Sequence, residues 1–116
     1  MKLLRLIVGN ILLFINFLTR PSLGKREESL QKEVEKELEN YSLYQFDACP
    51  FCIKVRRVMR KLNLPIELKN ANKDKDLKEE LLSKGGSPKV PCLRIGDKWM
   101  YESNDIIEYL EKKFPV

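Results

Sequence analysis

The sequence contains no histidine and only three cysteines among its 116 residues. The lack of histidine excludes Cys–His proteases, Ser–His hydrolases and most zinc sites. Three cysteines are too few for the disulfide framework of a small secreted domain. One CxxC pair plus a distant cysteine also falls short of a four-ligand structural zinc site. The use that remains for Cys49 and Cys52 is redox chemistry.

Apolar and charged residues are distributed unevenly along the chain. Residues 6–18 are almost wholly apolar, whereas Lys, Arg and Glu dominate residues 24–40. We therefore divide the chain into a hydrophobic segment, a charged helical linker and a folded domain with one modest core, over 1–21, 22–40 and 41–116. In the linker, apolar residues four positions apart predict a helix that either docks on the domain or acts as a stiff spacer.

Residues 1–21 resemble a membrane anchor or a secretory signal. Lys2 and Arg5 precede the apolar run, and Arg20 ends it. A helix over 3–20 comes near the lower length limit for crossing a hydrocarbon core of about 30 Å. We expect an uncleaved anchor, with a cleaved signal and a helix lying in the membrane interface as alternatives. Positive charges flank both ends of the run, so they do not fix its orientation.

Strand and helix patterns alternate through the folded domain. Strands are predicted where short apolar runs are bounded by turn residues, and helices where apolar residues recur every three or four positions. The predicted strands cover 42–46, 66–68, 90–95 and 98–101. The predicted helices cover 50–62, 74–83 and 103–114, with Ser103 as the cap of the last. The order is βαβαββα, an α/β fold, and we expect Cys92 to be a buried core residue.

The pair Cys49 and Cys52 lies where a predicted strand meets a predicted helix. Cys49 precedes the helix, and Cys52 lies in its first turn. At this end of a helix, free backbone N–H groups and the positive end of the helix dipole favour the nucleophilic thiolate. We predict that Cys49 attacks a disulfide and that Cys52 resolves the mixed disulfide that forms. A structural or half-zinc CxxC is the alternative.

Five cations crowd the helix predicted after this pair: Lys54, Arg56, Arg57, Arg60 and Lys61. Such a run is typical of a solvated helix face, and a basic rim that attracts an anionic small molecule is the alternative. Nucleic acid is not expected as a partner, because no aromatic or glycine pattern interleaves with the charges.

Three motifs resemble those of the dithiol glutaredoxins: Cys49-Pro50-Phe51-Cys52, Val90-Pro91 and Glu102-Ser103. The segment that begins at Tyr101 is also similar to the N-terminal domain of glutathione transferases. The resemblance covers about 42–114 and implies a three-layer thioredoxin fold, a cis peptide bond before Pro91 and glutathione as co-substrate. No second helical domain follows, so we do not expect a complete glutathione transferase.

The resemblance also implies which residues contact glutathione. The backbone of Val90 would pair with the cysteinyl part, and Glu102 with Ser103 would hold the γ-glutamyl end. Many glutaredoxins carry a lysine shortly before the first cysteine; none is present here, and we expect Lys54 or Lys89 in its place. The complete expected set is Pro50, Phe51, Lys54, Lys89, Val90, Pro91, Glu102 and Ser103.

The sequence therefore predicts a glutathione-dependent thiol–disulfide oxidoreductase that reduces protein disulfides or glutathione mixed disulfides, is attached to a membrane through residues 3–20 and holds no metal. The alternatives are a non-catalytic glutathione-binding adaptor and an iron–sulfur cluster carrier. Pro50 disfavours the carrier, because cluster-binding relatives usually carry a small flexible residue there. This chemistry suits a reducing, glutathione-rich compartment, so we expect the domain on the cytoplasmic side of the membrane.

Overall fold

A four-stranded sheet with helices on both faces forms the centre of the structure, a computed structural model that describes residues 2–19 and 21–116. The helices are α1 (Lys2–Thr19), α2 (Glu28–Leu38), α3 (Pro50–Lys61), α4 (Lys75–Gly85) and α5 (Ser103–Lys113). The strands are β1 (Tyr41–Gln45), β2 (Glu67–Asn70), β3 (Cys92–Ile95) and β4 (Lys98–Met100). Arg20, the predicted end of the apolar run, lies outside the described residues.

The strands are arranged in the order β2-β1-β3-β4. β1 and β2 are parallel, which the intervening α3 makes possible, and the pairs β1–β3 and β3–β4 are antiparallel. In the register of the central strand, Leu43 pairs with Leu68 on one side and with Leu93 on the other. The predicted order βαβαββα is confirmed from β1 to α5.

Each face of the sheet has its own core, because successive side chains of a strand point to opposite faces. Leu43 and Leu93 pack with α3 and α5 in the larger core, and their neighbours Tyr44 and Cys92 pack against α4 in the smaller one. The buried residues that line the larger core include Val55, Met59, Ile106 and Leu110. The three-layer arrangement that the sequence predicts is therefore the one observed.

The charged helix α2 docks on the domain. Its Leu38 is 2% exposed within the larger core, and Val34 packs against that core. Gln31 donates to the carbonyl of Asn63 at 2.9 Å, while Leu30, one turn before Val34, stays half exposed. Of the two alternatives for this segment, docking is the one the structure shows.

The start of α5 differs from the prediction. Ser103 is the first residue of the helix, and Glu102, with φ of 48°, holds the capping position without a side-chain cap. The carbonyl of Glu102 accepts the first helical hydrogen bond, from Ile106 N–H at 3.0 Å. The prediction that Ser103 caps α5 is therefore wrong by one residue. In α4, by contrast, Asp74 is the cap, and its carboxylate accepts from Asp76 N–H at 2.9 Å.

Helix α1 packs on the domain along one stripe only. Its least exposed residues recur at helical spacing and are Gly9, Leu12, Leu13 and Asn16. The large apolar residues on its other faces are solvent-exposed, with Phe14 63% and Leu18 64% exposed. By length and composition alone α1 could cross a membrane. Its role as an anchor stays a prediction.

Candidate active site

The two cysteines of the CxxC motif occupy the start of α3. Cys49 is the capping residue, with an extended backbone (φ −73°, ψ 123°), and Pro50 is the first helical residue. Proline fits this position because its missing N–H has no partner in the first turn. Cys49 is half-buried, and Cys52 is 0% exposed one turn into the core. Both are free thiols, and the structure places them as the sequence predicts.

The surroundings of Cys52 keep it neutral. Burial raises the pKa of this thiol, the backbone N–H of Phe46 opposes the shift by donating to Sγ at 3.5 Å, and the neighbouring Cys49 raises the pKa further. A thiol held protonated in this way can donate its hydrogen to the Cys49 sulfur. Cys49 is thus the more accessible of the two thiols, and Cys52 could attack it only after a disulfide had formed on Cys49.

Arg56 fixes the loop that leads into Cys49. Its guanidinium donates to the carbonyl of Asp47 at 2.7 Å, to that of Phe46 at 3.3 Å and to the side-chain oxygen of Gln45. Burial lowers the pKa of Arg56, and the charges of Cys52, Asp47 and Cys49 oppose that shift. The cation therefore joins α3 to the end of β1 and lies within electrostatic range of both thiols.

The solvated helix face predicted for the five cations is wrong for three of them. Arg56, Arg57 and Arg60 are half-buried, and each binds a different segment. Arg57 donates to Thr19 O of α1 at 2.8 Å, and Arg60 donates to Pro21 O at 2.7 Å. Other parts of the chain cover this side of α3, so the long guanidinium side chains find backbone acceptors instead of water. Sequence spacing alone gave no sign of those acceptors.

A groove of about 200 Å³ lies beside the CxxC motif and combines three distant segments. The bond between Val90 and Pro91 is cis, as expected from the resemblance, and Pro91 is buried. Six of the eight predicted glutathione-contacting residues line this groove: Phe51, Lys89, Val90, Pro91, Glu102 and Ser103. Lys89 and Glu102 are exposed and of opposite charge, which suits a ligand that carries both an ammonium and carboxylates.

The other two predicted contacts lie outside the groove. Pro50 lines a separate cavity together with Cys49. Lys54 donates to Asn104 Oδ1 at 2.6 Å, and Asn104 in turn lines the groove, so this lysine reaches the rim only through a neighbour. Asn104 was not singled out in the sequence, although its position directly after Glu102-Ser103 was a usable signal.

Cys92 is a buried core residue, as predicted. It is 0% exposed and packs with Tyr44 and Leu81. Burial raises the pKa of its thiol to about 11, with smaller opposing contributions from Tyr101 and from the backbone of Met100. Cys92 is therefore a neutral thiol at physiological pH.

Selective alkylation tests which of the three thiols is accessible and reactive. Iodoacetamide at neutral pH should modify Cys49 alone in the folded protein, because Cys52 and Cys92 are both 0% exposed and have raised pKa values. Peptide mass spectrometry would assign the modified residue. In guanidinium chloride all three should react, which is the control, and early modification of Cys92 in the folded protein would contradict its placement.

Comparisons with known proteins give one family and two kinds of structural neighbour. The family model of the glutathione S-transferase N-terminal domain matches residues 43–116. Glutaredoxin 2 of Escherichia coli K12 is 36% identical over 72 residues, which make up 60% of this chain and 32% of that protein. The chain thus spans about a third of the length of this relative.

Two solved structures illustrate the structural neighbours. A glutathione transferase homolog from Drosophila mojavensis, solved with bound glutathione, is 32% identical with a TM-score of 0.55 and covers 65% of this chain and 35% of its own. Wheat glutaredoxin is 17% identical with a TM-score of 0.52, and the match covers 73% of this chain and 84% of the wheat protein. At that identity, the wheat protein shows the fold alone.

Proposed function

Because this chain belongs to the family of glutathione S-transferase N-terminal domains, we propose that it is a glutathione-dependent thiol–disulfide oxidoreductase of the glutaredoxin type. The observation that carries the proposal is the arrangement around Cys49. A half-exposed thiol at the start of α3 lies beside a buried neutral thiol and next to a groove that holds the cis Val90–Pro91 bond.

The reaction proceeds in two exchanges. The Cys49 thiolate attacks the glutathionyl sulfur of a mixed disulfide, so that the bond to the client sulfur breaks, a bond between Cys49 and glutathione forms, and the client leaves as a thiolate. A second glutathione thiolate then attacks the glutathionyl sulfur on Cys49. This step releases glutathione disulfide and restores the Cys49 thiolate. When the client is a protein disulfide, Cys52 instead attacks the Cys49 sulfur of the mixed disulfide, which releases the client thiolate and leaves a Cys49–Cys52 disulfide. Two glutathione molecules then reduce this disulfide and leave as glutathione disulfide.

The groove holds the glutathionyl part during both exchanges. Backbone groups of Val90 can pair with the cysteinyl residue, because Val90 lines the groove together with Phe51 of α3. Glu102 offers a carboxylate for the ammonium of the γ-glutamyl end, and Lys89 offers a cation for a carboxylate. These roles support glutathione as the co-substrate.

We further propose that the outer faces of α1 attach the domain to the cytoplasmic side of a membrane. One stripe of α1 packs on the domain, and the opposite faces expose Ile7, Phe14 and Leu18. This geometry supports a helix that lies along the membrane surface more than one that crosses it, because a spanning helix would have to leave its contacts with the domain. The cytoplasmic side supplies the glutathione that the reaction consumes.

Cysteine variants test the catalytic proposal. The full chain should reduce the mixed disulfide of glutathione and 2-mercaptoethanol, in an assay coupled to glutathione reductase. Cys49→Ser should lower kcat/KM by roughly 10³-fold because the nucleophile is lost. The kcat/KM of Cys52→Ser should stay within about threefold of the wild-type value, because glutathione itself resolves the intermediate. A folded wild-type protein without turnover would contradict the proposal and favour a glutathione-binding adaptor.

Charge removal at the groove tests the glutathione assignment. Glu102→Gln should raise KM for glutathione by about tenfold and change kcat little, because a charge-assisted contact with the bound ligand is lost. Glu108→Gln is the matched control, since Glu108 is an exposed carboxylate on the helix that follows Glu102 and, among the described residues, pairs with Lys112 at 2.7 Å. Equal KM values for the two variants would contradict a role of Glu102 in binding.

Vesicle flotation tests the membrane proposal. The full chain should float with vesicles that contain anionic phospholipid, whereas the double variant Ile7→Glu/Phe14→Glu should stay at the bottom of the gradient, since it places two negative charges on the exposed apolar face. Leu30→Glu, which changes a similarly exposed apolar residue on α2, is the control and should float. If all three proteins remain at the bottom, α1 does not attach to membranes.

A further inference from the structure

Helix α1 touches the residue that precedes the nucleophile. Gly9 is the buried centre of the docking stripe of α1. A Cβ atom added at Gly9 would lie 3.1 Å from Cβ of Ala48, which is closer than nine in ten real contacts of this kind. Because Ala48 is bonded to Cys49, the middle of α1 forms one wall of the space in front of the thiol. A larger side chain at Gly9 would push this wall away.

A second attachment fixes the C-terminal end of α1. The guanidinium of Arg57 donates to Asn16 Oδ1 at 3.1 Å, to Thr19 Oγ1 at 3.1 Å and to Thr19 O at 2.8 Å. Arg57 belongs to α3, the same helix that begins at Cys49. Contacts at Gly9 and at Thr19 are about 15 Å apart along a helix, so together they hold α1 alongside the active site.

The space between α1 and the active-site loop is a cavity of about 760 Å³. This is several times the volume of the glutathione groove and within the range of pockets that bind organic ligands. Apolar side chains of α1 form one side of it, namely Leu4, Val8 and Leu12. Cys49 and Pro50 lie opposite, and the N-terminal end carries Lys2 and Arg5. No carboxylate is among the lining residues that the structure describes.

We propose that this cavity binds the client half of the mixed disulfide and selects cysteines flanked by apolar and acidic residues. The inference rests on the proposed function and names its substrate class. The apolar wall would take the flanking side chains, and the two cations would attract the acidic ones. When Cys49 bonds to the glutathionyl sulfur in the groove, the client sulfur takes the electron pair of the broken bond and leaves on the cavity side as a thiolate.

A peptide fits this cavity better than a lipid does. Cys49 acts on a disulfide sulfur, which a phospholipid lacks, and the cations lie on the same side of the domain as that thiol. The groove and the cavity also meet the CxxC motif at different residues, the groove at Phe51 and the cavity at Cys49 and Pro50. The glutathionyl half and the client half of a mixed disulfide would therefore bind at separate sites.

Two glutathionylated peptides of equal length test the inference with the full chain in a fixed concentration of non-ionic detergent. One peptide has Leu and Glu on both sides of its cysteine, and the other has Ser and Lys. The wild-type protein should show a kcat/KM about tenfold higher for the first, the size expected for one or two exposed charge pairs together with some apolar contact. Equal values would overturn the inference.

Variants of α1 test whether the preference for the Leu- and Glu-containing peptide arises in this cavity. In Lys2→Gln/Arg5→Gln the ratio of the two kcat/KM values should fall towards one, and Gly9→Leu should lower it by displacing the wall. The control Lys32→Gln/Lys36→Gln removes two exposed cations from α2 and should keep the wild-type ratio. Circular dichroism would verify that each variant is folded. A ratio that persists in both α1 variants would place the client elsewhere and overturn the inference.

Failure of the inference is separable from failure of the proposed function. If the wild-type protein reduces the small mixed disulfide of 2-mercaptoethanol but does not distinguish the peptides, only the client site is wrong. If it turns over none of the three substrates, the oxidoreductase proposal itself fails. If the peptides are not distinguished and the α1 variants change only vesicle flotation, the cavity lines a lipid surface and not a client site.

Discussion

The contact between Arg56 and the loop before Cys49 is the constraint on which the site depends. Its guanidinium is half-buried and satisfies the carbonyls of Phe46 and Asp47. Without Arg56 the carbonyl of Asp47 would lose this donor, whereas that of Phe46 would keep the N–H of Cys49 at 3.3 Å. Leaving a buried acceptor without a donor costs about 1–3 kcal/mol. The loop therefore has one favoured course from β1 into α3. That course sets the position of Cys49, brings Phe46 N–H to Cys52 and presents Ala48 to α1.

With the loop fixed, the CxxC motif borders two unlike spaces. The smaller one is polar, charged with both signs and lined by the segments around Pro91 and Ser103. The larger one is apolar with a cationic end and is closed by α1. Under the proposed function, the smaller space would hold the glutathionyl part of a mixed disulfide and the larger one the client part.

Local sequence signals predicted much of the fold and of the site. The position of Cys49 and Cys52 at a strand-to-helix junction followed from Pro50 and the helical spacing of the apolar residues after it. The groove residues followed from a family resemblance, and all but Pro50 and Lys54 come together. The roles of Arg56, Arg57 and Arg60 could not be predicted, because their acceptors are backbone carbonyls 9 to 39 positions away in the chain.

The sequence by itself determined the order of elements and the position of the CxxC pair at the start of a helix, since apolar periodicity and proline placement act over a few residues. Only the tertiary structure decided which cations face water, that α2 completes the core through Leu38, and that α1 packs at Gly9 against the active-site loop. These outcomes depend on which surfaces meet when the elements pack. A charged side chain adjusts to whatever acceptor lies within its reach, and its own sequence neighbourhood does not reveal that acceptor.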